Sequence, residues 1–323
     1  MRLWQSVKQY FSDAWQAWDR FWFSPSDPAT LSLMRVLVGT MLVYTHAVWS
    51  FGLTAFFGPQ GWLPIDVLQL DRERFPRYDW SLFFHIESPV LLWTVHIVAL
   101  AVFVMFALGL FTRVTAWLAV FFTIMYAVRV TPGAYFGLDK INYFLTLYLA
   151  IGPCGARYSL DRLLRKRRGD SSDPAPSVSA GLATRLVQWH LAIIYFFSGL
   201  AKLEGLAWWT GEATWMSIAN SEYRSLDVTF LAHHPGVMAF FTHATIFLEL
   251  FYIALIWNRW LRPWLLIAAV GMHAFIALCL GMITFGLAMI FANLAFVSPR
   301  LVRKFCDPIA RRITLALTGG EAG

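Results

Sequence analysis

Lys202 lies near the end of RLVQWHLAIIYFFSGLAKLEG, an apolar stretch long enough to cross a bilayer. Holding an ammonium in hydrocarbon costs at least about 2.5–3.5 kcal/mol on insertion scales, so such residues face protein or water and often serve function. Desolvation also makes a lysine easier to deprotonate, which suits a base. The alternative is a lysine whose long stem reaches the headgroups and only marks the helix end. Other ionisable residues also sit in or beside apolar stretches: His46, His96, Arg129, Asp139, Lys140, His243, Glu249 and His273. A carboxylate as deep as Glu249 needs a partner or a neutralising proton, and Arg35 or His273 offers the partner. Arg129 and Asp139 allow a structural ion pair, and His96 or His273 alone reads equally as a histidine bonded to a neighbouring helix. No HxxxH or HExxH face exists, so no metal site is expected. No GxSxG or Cys/His nucleophile arrangement is present. Cys154, Cys279 and Cys306 lack metal-type or CxxC spacing and read as structural thiols.

The elements that must position these residues are membrane helices. Hydrophobic residues make up 58% of the chain and charged ones 14%, well below the ~25% charged of a soluble domain. The composition predicts an all-α polytopic integral membrane protein whose first partner is the lipid bilayer. A span needs about 20 predominantly apolar residues, and eight stretches come near it: 29–52, 89–110, 114–131, 138–154, 185–204, 236–257, 263–281 and 284–299. Placing both termini in the cytoplasm puts 18 of the 26 basic residues on the inside. Only Arg72, Arg74, Arg77 and Arg224 then fall in outside loops, the bias that sets topology. The net charge of +7 is thereby a topology signal and not a nucleic-acid footprint. The expected location is the cell (plasma or inner) membrane, multi-pass, and no cleavable signal peptide is visible.

Residues 1–22 place Trp4, Val7, Phe11, Trp15, Trp18 and Trp22 three or four apart, with polar residues between. That pattern predicts an amphipathic helix lying in the interface, with a soluble docking helix as the alternative. The domain proper is expected over 23–300, with a cytoplasmic linker at about 155–184 that includes RGDSSDPAPSVSAG, and a cytoplasmic tail over 301–323. Both four-span halves start from the same side, which excludes an inverted repeat. The aromatic-rich loops FFGPQGWLP and WWTGEATW, the latter with Trp208, are expected to cap the outer face. By depth, polar side chains from six spans then converge on one layer in the outer half of the membrane. A polar cavity open to that side explains the convergence. The candidate catalytic residues are Lys202, Asp139, Lys140, His243, Glu249 and His273. The candidate ligand- or cofactor-binding residues are His46, His96, Arg129 and Trp208.

The run IIYFFSGLAKLEGLAWWTGEA resembles the horizontally transferred transmembrane (HTTM) domain, the membrane part shared by vitamin K-dependent gamma-carboxylase and many bacterial proteins. FSPSDPATLSLMRVLVG, FFGPQGWLP, GLDKINYFLTLYLAIGPCGARYSLDR and ATIFLELFYIALIWNRWLRP agree, and the resemblance covers roughly residues 22–300. In the carboxylase, a lysine after the Y-F-x-x-G run deprotonates vitamin K hydroquinone. The resemblance places that role on Lys202, with Ala201 where the carboxylase has a second lysine. A histidine assists there, whereas GLDKIN offers Asp139 or Lys140. The extramembrane domain that positions the peptide is missing, so glutamate carboxylation is not expected. The resemblance implies an enzyme using Lys202 as base on a quinol or lipid-like substrate. The alternative is a non-enzymatic role in maturation or export of a peptide substrate, or in partner assembly. A transporter is disfavoured, since no second, cytoplasm-facing polar layer is evident.

Overall fold

An apolar segment has no water to satisfy its backbone, so its N–H and C=O groups must pair within the segment, and a helix results. The computed structural model describes residues 2–74, 80–129, 137–170, 172–222 and 224–318. They form α1 (Arg2–Phe23), α2 (Ala29–Trp49), α3 (Leu53–Phe57), α4 (Ile65–Arg74), α5 (Pro89–Leu108), α6 (Thr112–Arg129), α7 (Gly137–Ile151) and α8 (Leu160–Arg167). After the linker come α9 (Val178–Lys202), α10 (Leu206–Thr210), α11 (Ala213–Ala219), α12 (Pro235–Leu255), α13 (Arg262–Cys279), α14 (Ile283–Asn293) and α15 (Pro299–Thr318). The fold is all-helical; among the described residues the only β-type pairing is an isolated bridge between Ser26 and Ser177.

Among the described residues, four helices are long and apolar enough to cross a membrane: Ala29–Phe57 (α2 with the turn into α3), α5, α12 and α13. A fifth arises only if Ile283–Phe296 and Pro299–Ala316, bent by 115°, count as one span. The remaining expected spans are helical but do not qualify alone. The α7 helix has 15 residues and α14 has 11, and α9 is diluted by Arg185, Gln188, His190 and Lys202. Two segments are more ordered than the sequence reading expected. Within the linker, Ser159 caps α8 by accepting from Arg162 N at 3.0 Å. Residues 301–318 of the tail belong to α15, whose start is braced by Leu301 N donating to Ser298 O at 3.0 Å. A serine followed by a helix-compatible run is a start signal.

The helices pack as two groups, α2–α5–α6–α7 and α9–α12–α13–α14, joined where α7 and α14 meet α2 and α9. Membrane helices approach through small residues. At Gly39 of α2 an added Cβ would lie 2.6 Å from Ala107 Cα on α5, so the two backbones are in direct contact. The end from which α1, α8 and α15 extend is held by ions. Arg157 donates to Asp27 at 3.2 Å and to both carboxylate oxygens of Asp173 at 2.7 and 2.9 Å. Arg303 of α15 reaches the same two aspartates, each at 3.2 Å. Tyr158 donates its hydroxyl to Asp307 at 2.7 Å, and its carbonyl accepts from the fully buried Arg35. This clamp joins the chain before α2, both ends of the linker, and α15.

Two outcomes follow from this packing. Gly39→Ala should lower the melting temperature of the detergent-solubilised protein, by the order of the ~1–3 kcal/mol typical of overpacking. Adding Ala107→Gly should restore only part of the loss, because the nearest atom is the Ala107 Cα; full recovery would show that the helices do not touch as described. The hydrogen bonds from Arg157 hold the Asp173 carboxyl below the usual carboxylate range. Its contribution is thus complete above the unfolded value of about 3.9 and is lost as pH falls through the lower folded value. Because 61% of the Asp173 side chain is exposed, Asp173→Asn should cost no more than about 1 kcal/mol at neutral pH. It should also flatten the acid side of a melting-temperature profile, whereas an unchanged acid limb would remove Asp173 from the clamp.

Candidate functional site

The α9 helix presents Tyr195, Ser198 and Lys202 on one face, at i, i+3 and i+7. A helical side chain leans toward the N-terminus of its helix, so the stem of Lys202 runs back into the bundle and away from the helix end. Its Nζ donates to Ser198 Oγ at 2.7 Å and lies 2.7 Å from Glu249 Oε2 on α12. The Trp208 ring, on α10 just beyond the helix, covers it with the centroid 5.2 Å from Nζ. The Lys202 side chain keeps 20% of its surface open, and Glu249 behind it keeps 8%. Of the two charged side chains, the carboxylate is the more enclosed.

Deeper in the same group runs an uncharged chain. Tyr195 OH is hydrogen-bonded to His273 Nε2 of α13 at 2.8 Å and accepts from Asn293 Nδ2 of α14 at 3.0 Å. Asn293 Oδ1 in turn accepts from Tyr252 OH of α12 at 2.6 Å. The Tyr195 and Tyr252 rings meet at 4.5 Å. Four helices each contribute one member of this network, so it fixes their mutual register below the Lys202–Glu249 pair. The Nδ1 of His273 is buried with no hydrogen-bond partner among the described residues.

A second polar set belongs to the other group. His96 of α5 sits between Tyr126 OH of α6 at 2.6 Å and Ser50 Oγ after α2 at 2.8 Å. His46 of α2 is bonded through Nδ1 to Leu42 O at 2.8 Å, with its ring 4.7 Å from that of Tyr126. His46, Trp49, Thr123, Tyr126, Asp139 and Asn142 contribute to the lining of a recess with room for about one water molecule. Asn142 Oδ1 is buried there without a hydrogen-bond partner among the described residues.

The candidates from the sequence thus divide. Lys202, Glu249 and His273 come together on α9, α12 and α13, under Trp208. His46 of α2 and Asp139 of α7 line the recess, and His96 of α5 is bonded to Tyr126 in its wall. His243 is exposed on α12, where Nδ1 bonds Ala239 O at 2.8 Å and Nε2 bonds Trp209 O at 3.3 Å. Lys140 is exposed at the start of α7. Arg129 is fully buried and donates to the carbonyls of Phe56, Gly58 and Leu63 at 3.4, 2.9 and 3.2 Å, which pins the FFGPQGWLP loop to α6. The partner of Glu249 is Lys202, and not Arg35 or His273 as the sequence suggested. Tyr195, Ser198, Tyr252 and Asn293 were not among the candidates, although Tyr195–Ser198–Lys202 and Glu249–Tyr252 both show the helical spacing that would have linked them. Among the described residues, no three His, Cys, Asp or Glu side chains converge as metal ligands would.

Neither a curated protein nor a solved structure matches this chain. The family model described as the HTTM domain matches residues 23–300, a stretch that includes every residue of both polar sets. The chain belongs to the HTTM domain family.

Proposed function

We propose that this HTTM-family membrane protein is an enzyme in which Lys202 and Glu249 act as one basic couple. The substrate is a quinol or another lipid-like molecule with an acidic hydroxyl, entering at the outer half of the membrane. The observation that carries the reading is the placement of Lys202 Nζ, held by Glu249 and Ser198 beneath the Trp208 ring, in a side chain that keeps 20% of its surface open. A lysine paired with a carboxylate rests as an ammonium and has no lone pair to offer. Proton uptake therefore proceeds through the pair: Nζ passes one proton to Glu249 and takes the hydroxyl proton of the substrate. The result is an ammonium beside a neutral carboxyl group, with the new substrate anion facing the ammonium. A low-dielectric surround strengthens that last attraction. Ser198 keeps Nζ oriented, and Trp208 supplies a ring against which a flat apolar substrate can lie. The Tyr195–His273–Asn293–Tyr252 chain holds the helices that carry the pair.

Eight spans with cytoplasmic termini in the plasma (inner) membrane complete the proposal. It is supported by the packing of α6, α7, α9 and α14 against the four strongly apolar helices, and by the basic residues around α8 and α15. Reporter fusions check it: a fusion at Gly169 should score cytoplasmic and one at Asn220 non-cytoplasmic. Equal scores at the two sites would exclude this topology.

The same pair could serve only to tie α9 to α12 in a protein that assembles or exports a peptide, and a double substitution separates the two roles. Removing one partner of a buried pair costs about 3–5 kcal/mol, whereas replacing both by apolar residues is often neutral. Lys202→Met with Glu249→Leu should therefore fold with a near-native melting temperature. It should lose the quinone or lipid that mass spectrometry finds co-extracted with the native protein in mild detergent. Retention of that molecule by the folded double variant would leave the pair a structural tie.

A further inference from the structure

The α15 helix turns by 115° out of α14 and carries two unlike faces. At 100° per residue, Leu301, Phe305 and Ile309 share one arc, while Arg300, Lys304 and Arg311 share a second arc centred about 120° from it. The apolar three are 47%, 63% and 58% exposed, so the described residues leave about half or more of each uncovered. Val302 is buried on the side turned to the bundle, and Arg303 fastens the helix through Asp27 and Asp173. The helix is thereby held at a fixed level, at the end of the bundle where the clamp lies. The α1 helix leaves the same end, and it too exposes an apolar stripe, with Trp4, Phe11 and Trp15 each at least two-thirds exposed.

We infer that α15 is a surface helix that binds anionic phospholipids at the membrane face bearing the clamp. This rests on the membrane reading proposed above but not on any chemistry at Lys202. A helix with cations on one arc and exposed apolar side chains on the other lies in the interface plane, its apolar side in the acyl boundary. Crossing the bilayer would instead carry the cationic arc with Lys304 and Arg311 into hydrocarbon. The 115° turn sets the direction and the Arg303 contacts set the depth. The cations Arg300, Lys304 and Arg311 then stand at headgroup level, where each contributes electrostatic attraction to acidic lipid. Charge selects the partner: a zwitterionic surface would satisfy the apolar stripe and leave three cations without a counter-charge.

The full chain, reconstituted into vesicles of phosphatidylcholine alone or of phosphatidylcholine with phosphatidylglycerol, tests this. Spin labels are placed singly at positions 301, 304, 305, 309 and 311, in a background with Cys154, Cys279 and Cys306 replaced by Ser. Oxygen accessibility should be high at 301, 305 and 309, and nickel-chelate accessibility high at 304 and 311. In the phosphatidylglycerol vesicles the docked signal should exceed the released one by at least about tenfold relative to phosphatidylcholine. The triple variant Arg300→Gln, Lys304→Gln, Arg311→Gln should abolish that gain. Uniform aqueous accessibility, or docking indifferent to lipid charge, would overturn the inference. Protection of 301, 305 and 309 only at high protein density would assign the stripe to a second copy and overturn it as well. Extraction of the chain from membranes by alkaline carbonate would defeat the membrane reading itself, a result distinct from each of these.

Discussion

A lone ammonium in an apolar helical bundle is unstable, and Lys202 is stable only because Glu249 meets it from α12. The pairing constrains both helices. Lys202 ends α9 while Glu249 lies two-thirds of the way along α12, so the lysine stem must fold back along its own helix to reach the carboxylate. The Ser198 hydroxyl, one turn earlier, holds that conformation. The contact also needs the two backbones close, and Gly199 allows it: a Cβ there would lie 3.0 Å from Leu250 N on α12. A small residue, a hydroxyl and two opposite charges, all within one turn of each helix, thus form a single packing unit. Truncating either charge would leave the other buried without its counter-ion, the situation that costs most in a protein interior.

The two ends of the bundle solve the problem of charge differently. At the clamp, Asp173 and Arg303 are open to solvent, while Arg157 and Asp27 are as enclosed as Glu249 and Lys202. Asp27 and Asp173 each serve both Arg157 and Arg303, so loss of one bond leaves the others to hold the chain. At the Lys202 end, among the described residues, one ion pair joins Lys202 to Glu249. A network tolerates loss through redundancy; a single pair does not. The clamp is thus suited to fixing how the linker and α15 join the bundle. The Lys202 end is suited to a change of protonation that neighbouring charges do not buffer.

Much of the architecture was legible in the sequence because the bilayer criterion is one-dimensional. Apolar length locates helices, and each expected stretch is helical where described. What length could not show was how far polar residues shorten or dilute a span, as in α7, α9 and α14. It also gave no sign of α15, whose alternating arcs lie beyond the last apolar stretch. Depth alone placed His46, His96, Arg129, Asp139, Lys202 and His243 in one outer layer, with Glu249 and His273 near the midplane, but depth carries no information about azimuth. His46 and His96 turn toward Tyr126, while Lys202 and His273 turn toward the α9–α12–α14 seam, and the layer divides into two sets. The members of the uncharged chain, Tyr195, Tyr252 and Asn293, are residue types that apolar helices also use as plain filling. Only their stagger relative to Lys202 and Glu249 marked them.

The stagger has a chemical consequence. A base in hydrocarbon must take a proton without leaving an uncompensated charge, and a lysine by itself fails: protonated at rest it cannot accept, and neutral at rest it becomes a bare ammonium on accepting. The couple avoids both failures. Its resting state is an ion pair with no net charge. In the proposed cycle its loaded state would be one ammonium beside one neutral carboxyl group, and the substrate anion formed in the same step would supply the counter-charge. Ammonium and anion would then face each other under Trp208, while the neutral carboxyl group would lie on the more buried side, where desolvation penalises it least. Glu249 is the more buried of the two side chains, and that order is the one such a cycle requires. Exchanging the residues would bury the ammonium and leave the carboxyl group facing the substrate anion, with nothing to stabilise it.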